Sequence, residues 1–86
     1  MTYRLEVTPS AKKALAALPK AARLRVDARI NALATDPRPH GVKTLRGSKP
    51  PLLRLRVGDY RIIYAVEDDR LVVLVVRIAH RREVYR

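Results

Sequence analysis

Between Leu52 and Tyr64 apolar residues alternate with arginines on both sides of a Gly58-Asp59 pair, the pattern of two strands joined by a two-residue hairpin loop. Such a loop fixes the register, because the side-chain period of a strand is two and a slip of one residue would invert both faces. Val57 is then set against Tyr60, Arg56 against Arg61, Leu55 against Ile62 and Arg54 against Ile63. Leu53, Leu55, Val57, Tyr60, Ile62 and Tyr64 share one face, an apolar surface that needs a covering layer. Arg54, Arg56 and Arg61 share the other. Like charges directly opposite in a ladder are destabilising, so stability alone gives no reason for Arg56 to face Arg61, whereas an anionic ligand gives one.

The covering layer comes earlier in the chain. Tyr3, Leu5 and Val7 alternate with Arg4 and Glu6 over Thr2 to Val7, predicting a short strand. Thr8 and Ser10 flank Pro9, an N-cap signal with proline at the first helical position. A helix over Pro9 to Leu18 presents Ala11, Ala14, Leu15 and Leu18 on one side and Lys12 and Lys13 on the other. Pro19 breaks it. A second helix, from Lys20 to Asp36, carries Ala22, Val26, Ile30 and Leu33 at helical spacing and stops before Pro37 and Pro39. Asp36 to Pro51, with four prolines and two glycines, reads as a loop. After the hairpin, Asp68-Asp69-Arg70 marks a turn, and the β-branched run from Leu71 to Ile78 predicts a central strand buried on both faces. The expected fold is α+β: an N-terminal strand, a helical hairpin, then a three-strand antiparallel meander with the helices packed on one sheet face. At 86 residues the chain, 1–86, forms a single domain.

Nineteen Lys and Arg against eight Asp and Glu leave a formal charge of +11, which attracts polyanions and acidic proteins. Fourteen of the nineteen are Arg, whose planar fork grips phosphate in two places. There is no cysteine, and His40 and His80 have no metal-ligand spacing, so neither a metal nor another cofactor is expected. The longest aliphatic run, Leu71 to Val76, falls far short of the ~20 residues that span a bilayer. The start of the sequence lacks an apolar signal region. The expected location is therefore the cytoplasm, with no membrane partner.

The candidate site is the arginine face. Arg54, Arg56 and Arg61 form its centre, Arg46 arrives from the preceding loop, and Arg77 and Arg81 join if the last strand sets Arg77 against Arg61. The turn at Asp68 leaves that register open. Tyr85 is the aromatic residue near the patch, placed either to stack on a base or to pack in a core or interface. His80 is the imidazole near it, a group that can take or give a proton. Arg23, Arg25 and Arg29 lie off the apolar stripe of the second helix, as a solvated face or a further phosphate-binding surface.

Three stretches, Leu45-Arg46-Gly47, Gly58-Asp59-Tyr60-Arg61-Ile62-Ile63-Tyr64 and His80-Arg81-Arg82-Glu83-Val84-Tyr85-Arg86, occur in an order and spacing that resembles the RelE/ParE superfamily of type II toxins over nearly the whole chain. The resemblance implies a RelE-like fold and, for the RelE branch, a ribosome-dependent endoribonuclease, an mRNA interferase that cuts mRNA in the ribosomal A site and inhibits translation. It implies an acidic antitoxin, the ribosome and mRNA as partners. Arg61 and Arg81 match the family's catalytic arginines and Tyr85 its stacking tyrosine. Arg54 and Arg56 stand where the best-known member has lysines. Arginine holds and neutralises a phosphate, but it hardly serves as the base that takes the 2′-hydroxyl proton. His80 or a group of the ribosomal RNA is left for that role, with Arg81 donating toward the leaving oxygen. The alternatives are a ParE-like inhibitor of DNA gyrase and a non-enzymatic nucleic-acid-binding module.

Overall fold

The computed structural model describes residues 2–45, 47 and 51–80. Its elements run β1 (Arg4–Val7), α1 (Pro9–Ala16), α2 (Lys20–Ala32), β2 (Lys43–Leu45), β3 (Leu52–Val57), β4 (Tyr60–Glu67) and β5 (Val72–His80). The strands form one sheet in the order β1-β5-β4-β3-β2. β1 lies parallel to β5, pairing Arg4 with Val72 and Val7 with Val75, while the other neighbours are antiparallel. A parallel pair requires a crossover. The two helices supply its covering layer.

Thr8 makes the turn from β1 into α1. Its Oγ1 accepts the Ala11 N–H (3.2 Å) as an N-cap, and Pro9 opens the helix. The helix ends at Ala16, two residues before the predicted limit, because Ala17 and Leu18 already turn toward Pro19. The second helix likewise stops at Ala32, with Leu33 as C-cap, short of Asp36. The predicted apolar stripe holds, since Ala22, Val26, Ile30 and Leu33 are all buried. Ala11 and the α2 residues Val26 and Ile30, with Leu33, pack on Leu53, Leu55, Val57, Ile62, Tyr64, Val73, Val75 and Ile78. Removing this apolar surface from water is the main force holding the two layers together. Tyr64 is fully buried and donates its hydroxyl to the Pro37 carbonyl (2.7 Å), and burial pushes its phenol up to about 12.

The hairpin register is the one the sequence predicts, from Val57↔Tyr60 through Arg54↔Ile63. Gly58 takes φ +58°, while no residue beside it has positive φ, as in a II′ turn with glycine first. Two features differ from expectation. The predicted loop contains β2, which pairs Lys43 with Arg54 and Leu45 with Leu52. The β4–β5 ladder also carries a bulge: Ile63 pairs with Arg77 but Tyr64 with Val75, leaving Val76 as an extra residue. Had the pairing on the Val72 side continued unbroken, Arg77 would face Ile62 and enter the core. The extra residue turns Arg77 out and Ile78 in. Thr8 ties the bulge to β1, donating its N–H to Val75 O (3.0 Å) and its hydroxyl to Val76 O (3.1 Å).

At the far end of β4, Asp68 joins three separate segments. It accepts hydrogen bonds from Arg38 (2.9 and 3.2 Å) and from the Tyr3 hydroxyl (2.7 Å). Those two donors, Arg38 first, hold its carboxyl below the ordinary carboxylate range. A depressed folded-state pKa stabilises above the ordinary range, and that contribution disappears as pH falls through the depressed value. Thermal unfolding across pH should therefore show Asp68→Asn less stable than the parent at neutral pH, with the gap closing below about pH 4. A gap of constant size would show that the lost hydrogen bonds, not ionisation, set the effect.

Candidate nucleic-acid interface

Residues directly opposite in an antiparallel ladder point to the same side of the sheet. The register therefore lays two rows across the face away from the helices. One runs Lys43, Arg54, Ile63, Arg77 from β2 to β5, and the other Arg56, Arg61, Ala79 from β3 to β5. With strands about 4.8 Å apart, the first row spreads cationic side chains over roughly 14 Å of backbone. Lys43, Arg54, Arg56 and Arg61, with Gly41, line a hollow of ≈ 230 Å³. Among the described residues no carboxylate lines it. The ion pairs Arg4–Glu6, Arg38–Asp68 and Arg70–Glu67 are elsewhere.

The members of the cluster differ in exposure. Arg61 is only 4% exposed, Arg54 is half-buried, and Arg56, Lys43 and Arg77 are exposed. Ala79, opposite Arg61, is small and buried, so the long guanidinium side chain has room in the middle of the sheet. Arg56 donates from Nε toward Gly58 O at 3.4 Å, which draws its base toward the hairpin turn. A buried guanidinium flanked by further cations is a preorganised site for a dianionic or phosphorane-like group, since a charge placed in low dielectric acts more strongly than in water.

Not every predicted residue joins this hollow. Arg77 is on the same face, but set against Ile63 rather than Arg61. His80 pairs with Tyr60, and their rings meet edge to face at 5.1 Å and 83°. Tyr60 belongs to the helix-facing side, so strand parity puts His80 across the sheet from Arg61. Arg23, Arg25 and Arg29 are exposed on α2, in the layer that covers the opposite face. Arg23 borders a separate groove of ≈ 300 Å³ between the helices, with Lys12, Leu15, Ala16, Leu24 and Asp27. Arg46, Arg81 and Tyr85 lie outside the described residues. Among the described residues no cluster of His, Cys, Asp or Glu could hold a metal ion, and no helix is long and apolar enough to cross a membrane.

Sequence reasoning missed Lys43. A three-residue edge strand has too few positions to show a period, although Gly41 and Gly47 bracket a stretch in which β-branched Val42 and Thr44 alternate with Lys43 and Leu45. That bracketed alternation is the signal that could have found it.

Comparison with known proteins agrees with this fold. A family model described as the ParE toxin of type II toxin-antitoxin systems matches residues 5–85. The Mycobacterium tuberculosis toxin RelG is 30% identical over 87 residues, covering 100% of this chain and 99% of its own length. The RelE toxin of the same organism is 35% identical over 85 residues, covering 98% of this chain and 87% of its own length. Among solved structures, the archaeal RelE-RelB complex from Pyrococcus horikoshii superposes with a TM-score of 0.83 at 35% identity, over 94% of this chain and 97% of that one. With a family match over nearly every residue and full-length relatives on the same fold, the chain belongs to the RelE/ParE family of type II toxin-antitoxin system toxins.

Proposed function

We propose that this toxin is a ribosome-dependent endoribonuclease that cuts mRNA in the ribosomal A site. The observation that carries the reading is the cation-lined hollow centred on buried Arg61, on the sheet face that the helices leave open. In RNA cleavage of this type the 2′-hydroxyl oxygen attacks phosphorus and the bond from phosphorus to the 5′-oxygen breaks. Negative charge builds on the phosphoryl oxygens. Arg54, Arg56 and Arg61 would hold the scissile phosphate and stabilise that charge. By resemblance, Arg81 would donate toward the leaving oxygen and Tyr85 would stack on a base, while Arg46 and Arg77 would extend the grip on the strand. Arg23, Arg25 and Arg29, on the other side of the molecule, would contact ribosomal RNA phosphates. The ribosome supplies the orientation that one small sheet lacks for a flexible RNA.

The partner that restrains the toxin would be a short acidic antitoxin. A surface of charge +11 attracts it, and the Pyrococcus horikoshii relative is seen in complex with RelB. The test is a cell-free translation reaction. Added protein should stop synthesis and cut the reporter mRNA. Intact mRNA with unaffected synthesis, together with inhibited supercoiling by DNA gyrase, would move the chain to the ParE reading.

A further inference from the structure

Among the described residues four side chains line the hollow that holds Arg61, and three are guanidinium groups that keep their protons at any accessible pH. The fourth is different. Lys43 carries a primary amine, which exchanges its proton and, when neutral, offers a lone pair. It is set directly opposite Arg54 across the β2–β3 ladder and shares the hollow with Arg56 and Arg61. The backbone beside it is open, because Gly41 lines the same hollow without a side chain.

Resting on the reading of the chain as an RNA-cleaving enzyme, we infer that Lys43 is the catalytic residue that takes the proton from the attacking 2′-hydroxyl. The arginines cannot do this. His80 stands on the helix-facing side with Tyr60, and His40, though next to Gly41 in sequence, does not line the hollow. The neutral Lys43 amine accepts the 2′-hydroxyl proton, the O2′–phosphorus bond forms and the phosphorus–O5′ bond breaks. The 5′-oxygen takes a proton from water while Arg81, in the reading above, would steady its charge with a donated hydrogen bond, and Lys43 returns its proton to solvent. The products are a 2′,3′-cyclic phosphate and a 5′-hydroxyl, with no net oxidation and no co-reactant. Among the described residues the charged groups facing Lys43 are Arg54 on β3, with Arg56 and Arg61 around the hollow and Arg77 at the far end of its row.

The chain has no cysteine, so a single introduced thiol can be modified selectively. Lys43 is an exposed edge-strand residue, and its variants should fold. Single-turnover cleavage at saturating ribosomes is measured from neutral to alkaline pH for the parent, Lys43→Arg, Lys43→Cys, and Lys43→Cys alkylated with 2-bromoethylamine, which rebuilds an amine of nearly the same length. The parent rate should rise with pH. Lys43→Arg and Lys43→Cys should be slower by about thirtyfold or more, within the range for general-base catalysis, and lose that rise, and alkylation should restore both. A Lys43→Arg variant within threefold of the parent would overturn the inference by showing that charge suffices. So would a pH dependence abolished by His40→Ala or His80→Ala. If the parent itself fails to cut ribosome-bound mRNA, it is the RNA-cleaving reading that falls, before any variant is compared.

Discussion

Replacing Arg61 with alanine is expected to slow cleavage of ribosome-bound mRNA by about a hundredfold or more at saturating ribosomes, the scale of removing one preorganised charge donor. The size of the effect follows from position. Arg61 is 4% exposed, in the middle strand of the cationic face, with Arg56 opposite on one side and Ala79 on the other. A charge held there is oriented before substrate arrives, so it costs little reorganisation during the reaction. Ribosome affinity should change far less, because most phosphate contacts remain. Replacing Arg23, Arg25 and Arg29 together should do the reverse. These side chains are exposed on α2, behind the sheet, so their loss should weaken association and reduce its salt dependence, each lost phosphate contact lowering the slope by about one. Single-turnover rates at saturation, read beside binding isotherms at several salt concentrations, separate the two. Equal small losses at all these arginines would reduce the hollow to a basic binding surface.

Tyr64→Ala is expected to remove most of the domain's stability. The ring is fully buried between the sheet and the helices, and truncating a large aromatic core residue costs about 3–5 kcal/mol. A domain of this size has roughly 5–15 kcal/mol in total, at the lower end for a chain this short. Tyr64→Phe isolates the hydroxyl. It keeps the ring but leaves the Pro37 carbonyl without the 2.7 Å bond, which should lower stability by about 1 kcal/mol. Urea unfolding followed by circular dichroism checks both. Near-parental stability for the alanine variant would mean that the core closes over the space, contrary to the close packing of two layers argued above.

The hairpin was fully legible in the sequence because Gly58-Asp59 permits one loop length, and one loop length permits one register. The helices were legible from Ala22, Val26, Ile30 and Leu33, although their ends were not, since Leu18 and Leu33 continue the apolar stripe beyond the last helical residues, Ala16 and Ala32. Pairing of the last strand was illegible for a physical reason. Leu71 to Val76 is apolar throughout, and a run without alternation carries no information about which residue faces which side. The bulge at Val76, which decides that Arg77 joins the cationic face and that His80 meets Tyr60, therefore left no mark in the sequence pattern. The parallel contact of β1 with β5 links Arg4 to Val72 and is likewise set by packing of the whole layer. Part of the site suffered accordingly. Arg54, Arg56 and Arg61 were found from the hairpin, and Lys43, on a strand of three residues, was not.

The most direct measurement of the central claim compares one mRNA in two states, free in solution and bound in the A site of a programmed ribosome, with the same purified toxin and 5′-end-labelled RNA. Cuts are expected within the A-site codon on the ribosome, about a hundredfold slower or more with Arg61→Ala, and the free RNA should survive at the same toxin concentration. Efficient cutting of free RNA, or an intact A-site codon at saturating toxin, would contradict the central claim.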